Sequence, residues 1–143
     1  MRRTDGGRSD DGALALKLFD QLFPASSWDA WKTCLAAVLG LPVSDAQAAL
    51  IAECTERAAT PTQVAREVWV ICGRRAGKTQ VAALLAIYLA CFKTYKRSHA
   101  ERLVGMLLSA DRRQSSILKG YISGLLHALT ELEQLDHVGR EIA

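Results

Sequence analysis

The octet Cys72-Gly73-Arg74-Arg75-Ala76-Gly77-Lys78-Thr79 constrains this chain more than any other stretch, because it follows the apolar run 68–71 and precedes a long helix-forming segment. A turn ending in Gly-Lys-Thr between a strand and a helix is the layout of a phosphate-binding P-loop. In that layout backbone N–H groups wrap the phosphates, the lysine reaches the outer ones and the hydroxyl binds Mg²⁺. A helix N-terminus adds unpaired N–H donors and a positive dipole end, so an anion site exists before the lysine is counted. Gly73, Arg75, Ala76, Gly77, Lys78 and Thr79 are therefore the candidate cofactor-binding residues, with Thr79 the candidate Mg²⁺ ligand. Cys72 stands where the standard pattern has its first glycine, which implies that the loop needs no positive φ there. Arg74 is the candidate catalytic residue, since an arginine inside the loop is placed to stabilise charge on a terminal phosphate. A solvated pair of loop arginines is the competing reading for Arg74 and Arg75.

The remaining chain supplies a setting for this loop. Residues 67–72 are short, β-branched and aromatic, which predicts a buried strand, and residues 103–110 form a continuous apolar run suited to an interior parallel strand. Between them, the stretch to Phe92 is rich in Ala and Leu and apolar on nearly all sides, which predicts a helix covered by neighbours on most of its circumference. Residues 93–102 are polar and loop-like. Asp111 with Gln114 three residues on predicts a capped helix, whose stripe Leu118, Ile122, Leu125 and Leu129 runs to about residue 132. This cap explains Asp111 better than a metal-holding acid at a strand end does.

Upstream, Leu14, Leu18, Phe19 and Leu22 predict a helix over residues 13–23, closed at Pro24. Ser26 or Ser27 is placed to cap a second helix carrying Trp28, Trp31, Leu35, Val38 and Leu39, ended by Gly40 and Pro42. Ser44-x-x-Gln47 is a capping-box pattern opening a third helix through Leu50 and Ile51 toward Cys54. The expected fold class is thus α/β, P-loop NTPase-like, with an incomplete parallel sheet of two strands, flanking helices and a helical N-terminal preface. The expected divisions are a disordered tail at 1–12, a helical region at 13–60 and a partial P-loop ATPase core at 61–143.

Bulk properties exclude several classes. At 143 residues, half of them apolar, the chain has material for one domain with a core and not for two ordinary ones. Its 18 basic and 15 acidic residues leave a net charge of +3, too small a surplus to imply nucleic-acid binding without clustering. Lys93, Lys96, Arg97, Arg102, Arg112, Arg113 and Lys119 do gather near the second expected strand, but without interleaved aromatics they read as solvated surface. Cys34, Cys54, Cys72 and Cys91 have no Cys-x-x-Cys pair and no histidine at ligand spacing, so they read as buried or free thiols. The longest apolar run, residues 81–92, falls short of the roughly 20 residues that a bilayer-crossing helix needs, and no membrane role is expected.

Taken in order, Trp28-x-x-Trp31, Leu39-Gly40-Leu41-Pro42, Cys54-Thr55-Glu56-Arg57, the loop from Val70 to Thr79 and Ser109-Ala110-Asp111-Arg112-Arg113-Gln114 resemble the start of a phage terminase large subunit. The likeness spans about residues 13–130. Its most specific part is the arginine-bearing loop followed by Ala-Asp-Arg-x-Gln. Terminase large subunits are DNA-packaging motors with an N-terminal ATPase domain and a C-terminal nuclease domain. The resemblance implies ATP and Mg²⁺ as cofactors, with Lys78 on phosphate, Thr79 on the metal, Gly73 and Gly77 in the backbone cradle and Arg74 as the loop arginine. It implies DNA, the portal and the small terminase subunit as partners of the full-length protein, in the bacterial host cytoplasm. Arg57 falls in the region preceding the loop, where the family gathers base contacts, and carries no assigned one.

No apolar strand closing in Asp-Glu and no nuclease carboxylates occur in the sequence. The expectation is therefore an ATP-binding N-terminal fragment rather than a complete motor, since hydrolysis needs the metal held and the water activated. Two other readings stay open: a small P-loop nucleotide or metabolite kinase, and a non-catalytic nucleotide-binding assembly module.

Overall fold

Gly40 shows how local chemistry shapes this chain. It follows the helix α2 (Asp29–Val38) at φ +65°, the left-handed region that glycine enters without cost. The N–H of Leu41 donates to the Ala36 carbonyl at 2.9 Å and that of Gly40 to the Ala37 carbonyl at 3.2 Å, a Schellman closure of the helix end. The returning chain docks on the same end, where Ala65 N–H donates to the Val38 carbonyl at 2.8 Å. A computed structural model describes residues 6–95, 98–102 and 104–131 of the chain. It divides into two compact units, Met1–Ile71 and Cys72–Ala143.

In the first unit, helix α1 (Gly6–Leu22) covers residues 6–12 as well as the helix expected from residue 13. Residues 1–5 of the expected tail lie outside the described residues. Ala15, Leu18 and Phe19 are buried at helical spacing, and Phe23 follows them into the core. Phe19, Phe23 and Trp28 form one aromatic cluster, with ring centroids 4.9 Å apart for Phe19 and Phe23 and 4.6 Å for Phe23 and Trp28. Trp28 closes a 3₁₀ turn (Ser26–Trp28) that leads directly into α2. Neither Ser26 nor Ser27 caps α2, whose cap position is Trp28. Leu35, Ala36 and Leu39 are buried in this unit. Lys32 bridges Asp20 of α1 at 2.9 Å and Asp29 of α2 at 3.3 Å.

Helix α3 (Asp45–Thr55) opens on the expected capping box. Gln47 N–H donates to Ser44 Oγ at 3.3 Å, and Ser44 N–H donates to Gln47 Oε1 at 2.9 Å. Glu56 then turns left-handed at φ 56° and ends the helix.

In the second unit, helix α4 (Lys78–Ile87) continues through a π-turn (Tyr88–Phe92), so the helical course ends at Phe92, where the apolar run ends. Val81, Ala83, Leu84, Ile87 and Tyr88 are buried. Helix α5 (Arg112–Glu131) packs on α4, and Leu129, the last member of its apolar stripe, is fully buried. Asp111 caps α5 by accepting from Gln114 N–H at 2.8 Å and from the Gln114 side-chain amide at 2.9 Å.

The expected α/β class with a two-stranded parallel sheet is overturned. Among the described residues there is no strand, and the architecture is helical. Residues 67–71 and 104–108 run without regular structure, and their apolar side chains face solvent: Trp69 is 85% exposed, Ile71 97% and Leu108 85%. The physical reason is that a strand, unlike a helix, has no internal hydrogen bonds and forms only against neighbours. A lone pair of strands is marginal in water. The helices here close their own hydrogen bonds through caps and local contacts; the two apolar runs have no such recourse.

Candidate functional site

The expected loop residues are contiguous and sit at the start of α4. Residues 74–77 make a tight reversal, with Arg75 at φ 66° and Gly77 at φ 81°, and the helix begins at the next residue. Glycine meets the left-handed conformation at 77 freely, whereas at 75 an arginine holds it at a cost of roughly 1 kcal/mol. Cys72 is not among the positive-φ residues, which is why a side chain is tolerated where the standard pattern has glycine.

The loop closes on the lysine. Lys78 Nζ donates to the Gly73 carbonyl at 2.6 Å and to the Cys72 carbonyl at 3.2 Å. These two contacts fold the side chain back from its position at the first residue of α4 and bring its ammonium group to the loop's opening residues. No side chain caps α4: its first ladder bond is Val81 N–H to the Gly77 carbonyl at 3.1 Å. The positive end of the helix dipole and the Lys78 charge therefore meet at one exposed turn. Lys78, Thr79, Arg74 and Arg75 are all exposed, and Cys72 and Ala76 are half-buried. This is an open, cationic turn rather than a walled cleft.

What the turn can do is bind an anion with several oxygens. Lys78 and the two arginines supply three positive charges over five residues, and Thr79 presents a hydroxyl one residue into the helix. Mg²⁺ takes oxygen ligands and retains much of its water, so the Thr79 hydroxyl fits as one ligand beside phosphate oxygens. No group of three or more His, Cys, Asp or Glu residues able to hold a metal by themselves occurs among the described residues. Asp111, the acid weighed for that role, spends one carboxylate oxygen on the Gln114 backbone and the other on its side chain.

Among the described residues, the basic side chains downstream do not converge into a bonded cluster. Lys93 lies over the Tyr95 ring, 5.4 Å from its centroid, Arg102 sits in a loop, and Arg112, Arg113 and Lys119 are exposed on α5. Lys96 and Arg97 lie outside the described residues. None of the four cysteines is joined in a disulfide, and burial raises the Cys91 thiol above its usual range. Sequence reasoning missed the left-handed Arg75 and the carbonyl partners of Lys78. Nothing in residue type marks the first, and the second is made by main-chain atoms.

Comparison with protein-family models, with curated proteins and with solved structures returns no match to this chain. No helix among the described residues is long and apolar enough to cross a membrane.

Proposed function

We propose that the turn formed by residues 73–79 binds the phosphates of ATP together with Mg²⁺. The observation that carries this reading is Lys78 held over the loop carbonyls at an uncapped helix start. Lys78 would exchange these carbonyls for phosphate oxygens, Thr79 would offer its hydroxyl to the metal, and the N–H groups of Gly73, Arg75, Ala76 and Gly77 would form the cradle. In the wider protein this activity is that of a terminase-type packaging ATPase in a bacterial host cytoplasm, with DNA, the portal and the small subunit as partners.

The activity proposed for these 143 residues is binding rather than hydrolysis. Both Asp111 oxygens serve the α5 cap. Arg74, exposed in the loop, is the group proposed to meet the terminal phosphate. Arg74→Ala should weaken ATP binding more than ADP binding when both are titrated in Mg²⁺ buffer. Equal losses for the two nucleotides would remove the terminal phosphate from its role.

A further inference from the structure

Helix α5 leaves one apolar face without a neighbour. Ile117, Tyr121 and Leu125 line a shallow groove there together with Gly120 and Gly124, and Ile117 is 51% and Tyr121 40% exposed. Leu129 stands nine residues, two and a half turns, after Gly120, so the fully buried side chain of α5 points the opposite way. Both glycines lie in the helix interior, where glycine is the poorest helix former after proline. A Cβ at either position would meet no described atom within 4 Å, so no contact within the chain uses their small size.

The charges at the two ends of this face select its occupant. Arg113 precedes Gly120 by seven residues and Glu131 follows Gly124 by seven, about two turns in each case, so both are placed on the glycine face. Lys119, the one other lysine, arginine or acid between them, stands to one side of it. A second α5 laid antiparallel, with a two-fold axis at the level of Ile122, sets Gly120 against Gly124 of the second copy and Arg113 against Glu131 of the second copy, each twice. The backbones then approach where both surfaces lack a Cβ, opposite charges coincide at both ends, and the two helix dipoles oppose. A parallel copy would set Arg113 against Arg113 instead.

We propose that this face of α5 is a self-association surface, on which a second copy of the chain packs its own α5 antiparallel across Gly120 and Gly124. The arrangement is isologous, so it closes as a dimer. A standard interface buries about 800 Å² on each partner, and one pair of crossing helices buries less, so the dimer is weak and dissociates on dilution. This inference is independent of phosphate binding.

Sedimentation velocity on the full chain across about 10–300 µM, the range in which weak dimers form, tests it. Wild type should dimerise. Gly124→Leu should do so at least about tenfold more weakly, because its side chain blocks the close approach, even though leucine makes the face more apolar and is the better helix former. A merely adhesive surface would respond in the opposite sense. Arg113→Glu should weaken the dimer about five- to tenfold, and Arg113→Glu with Glu131→Arg in one chain should restore the wild-type value. Far-UV circular dichroism should show at least wild-type helix in every variant. A monomeric wild type, a Gly124→Leu variant that associates as strongly as wild type or more so, or a charge swap that fails to restore the dimer would each overturn the proposal.

Discussion

Lys78 Nζ lies 2.6 Å from the carbonyl oxygen of Gly73, five residues earlier in the chain, and this bond closes the turn that opens α4. A hydrogen bond from a charged donor is worth roughly 1.5–3 kcal/mol relative to its loss. The same ammonium group is the one proposed to meet phosphate, so one side chain both closes the loop and would place the ligand charge.

Asp111 separates a structural from a metal-binding role. Asparagine caps helices as well as aspartate, whereas alanine at a cap costs about 1 kcal/mol. Asp111→Asn should therefore leave both urea stability and the Mg²⁺ dependence of ATP binding unchanged, and Asp111→Ala should lower stability by about 1 kcal/mol. Loss of Mg²⁺ dependence in Asp111→Asn would make the carboxylate a metal ligand after all.

Gly40 carries the end of α2. A Cβ there would lie 2.5 Å from the Gln63 carbonyl carbon, and the φ of +65° is itself unfavourable for any other residue. Gly40→Ala should cost at least about 1–3 kcal/mol, read as a lower urea midpoint at unchanged slope. A midpoint equal to wild type would mean that residue 63 does not dock on the helix end.

Cysteine reactivity should follow burial. Cys91 is half-buried, and desolvation raises its thiol above the ordinary range, while Cys54 is exposed on α3. In a time course with iodoacetamide read by mass spectrometry, exposed Cys54 should be modified first, and Cys91 should become reactive only as the pH is raised. The sign for stability follows from the same shift. The folded state disfavours the thiolate, so stability is unaffected below the ordinary thiol range and falls as pH rises from about 9 toward the folded value. Lys32, raised chiefly by its hydrogen bond to Asp20, loses its contribution in the same direction at pH above 10.5.

The helices were legible in the sequence where a few adjacent residues decide the outcome. Ser44 with Gln47, Asp111 with Gln114, and Gly40 each act within one turn, and all three do what their spacing predicts. The expected strands were not decided in that way. Val68, Trp69, Val70 and Ile71 have strong β preference, but that preference is a fit to a half-buried pleated surface, and among the described residues no such surface faces them. Apolarity identified which residues want neighbours without supplying any. At the site, the type and order of residues fixed the cationic turn, whereas the left-handed Arg75 and the carbonyls under Lys78 depend on the path of the backbone.

Titration calorimetry of the full chain with Mg-ATP, run beside Lys78→Ala, tests the central claim most directly. Wild type should bind one ATP per chain, and Lys78→Ala should bind about 10–100-fold more weakly while keeping its helical circular dichroism. No heat of binding from folded wild-type protein, or an affinity indifferent to the loss of Lys78, would contradict the assignment of this turn to phosphate.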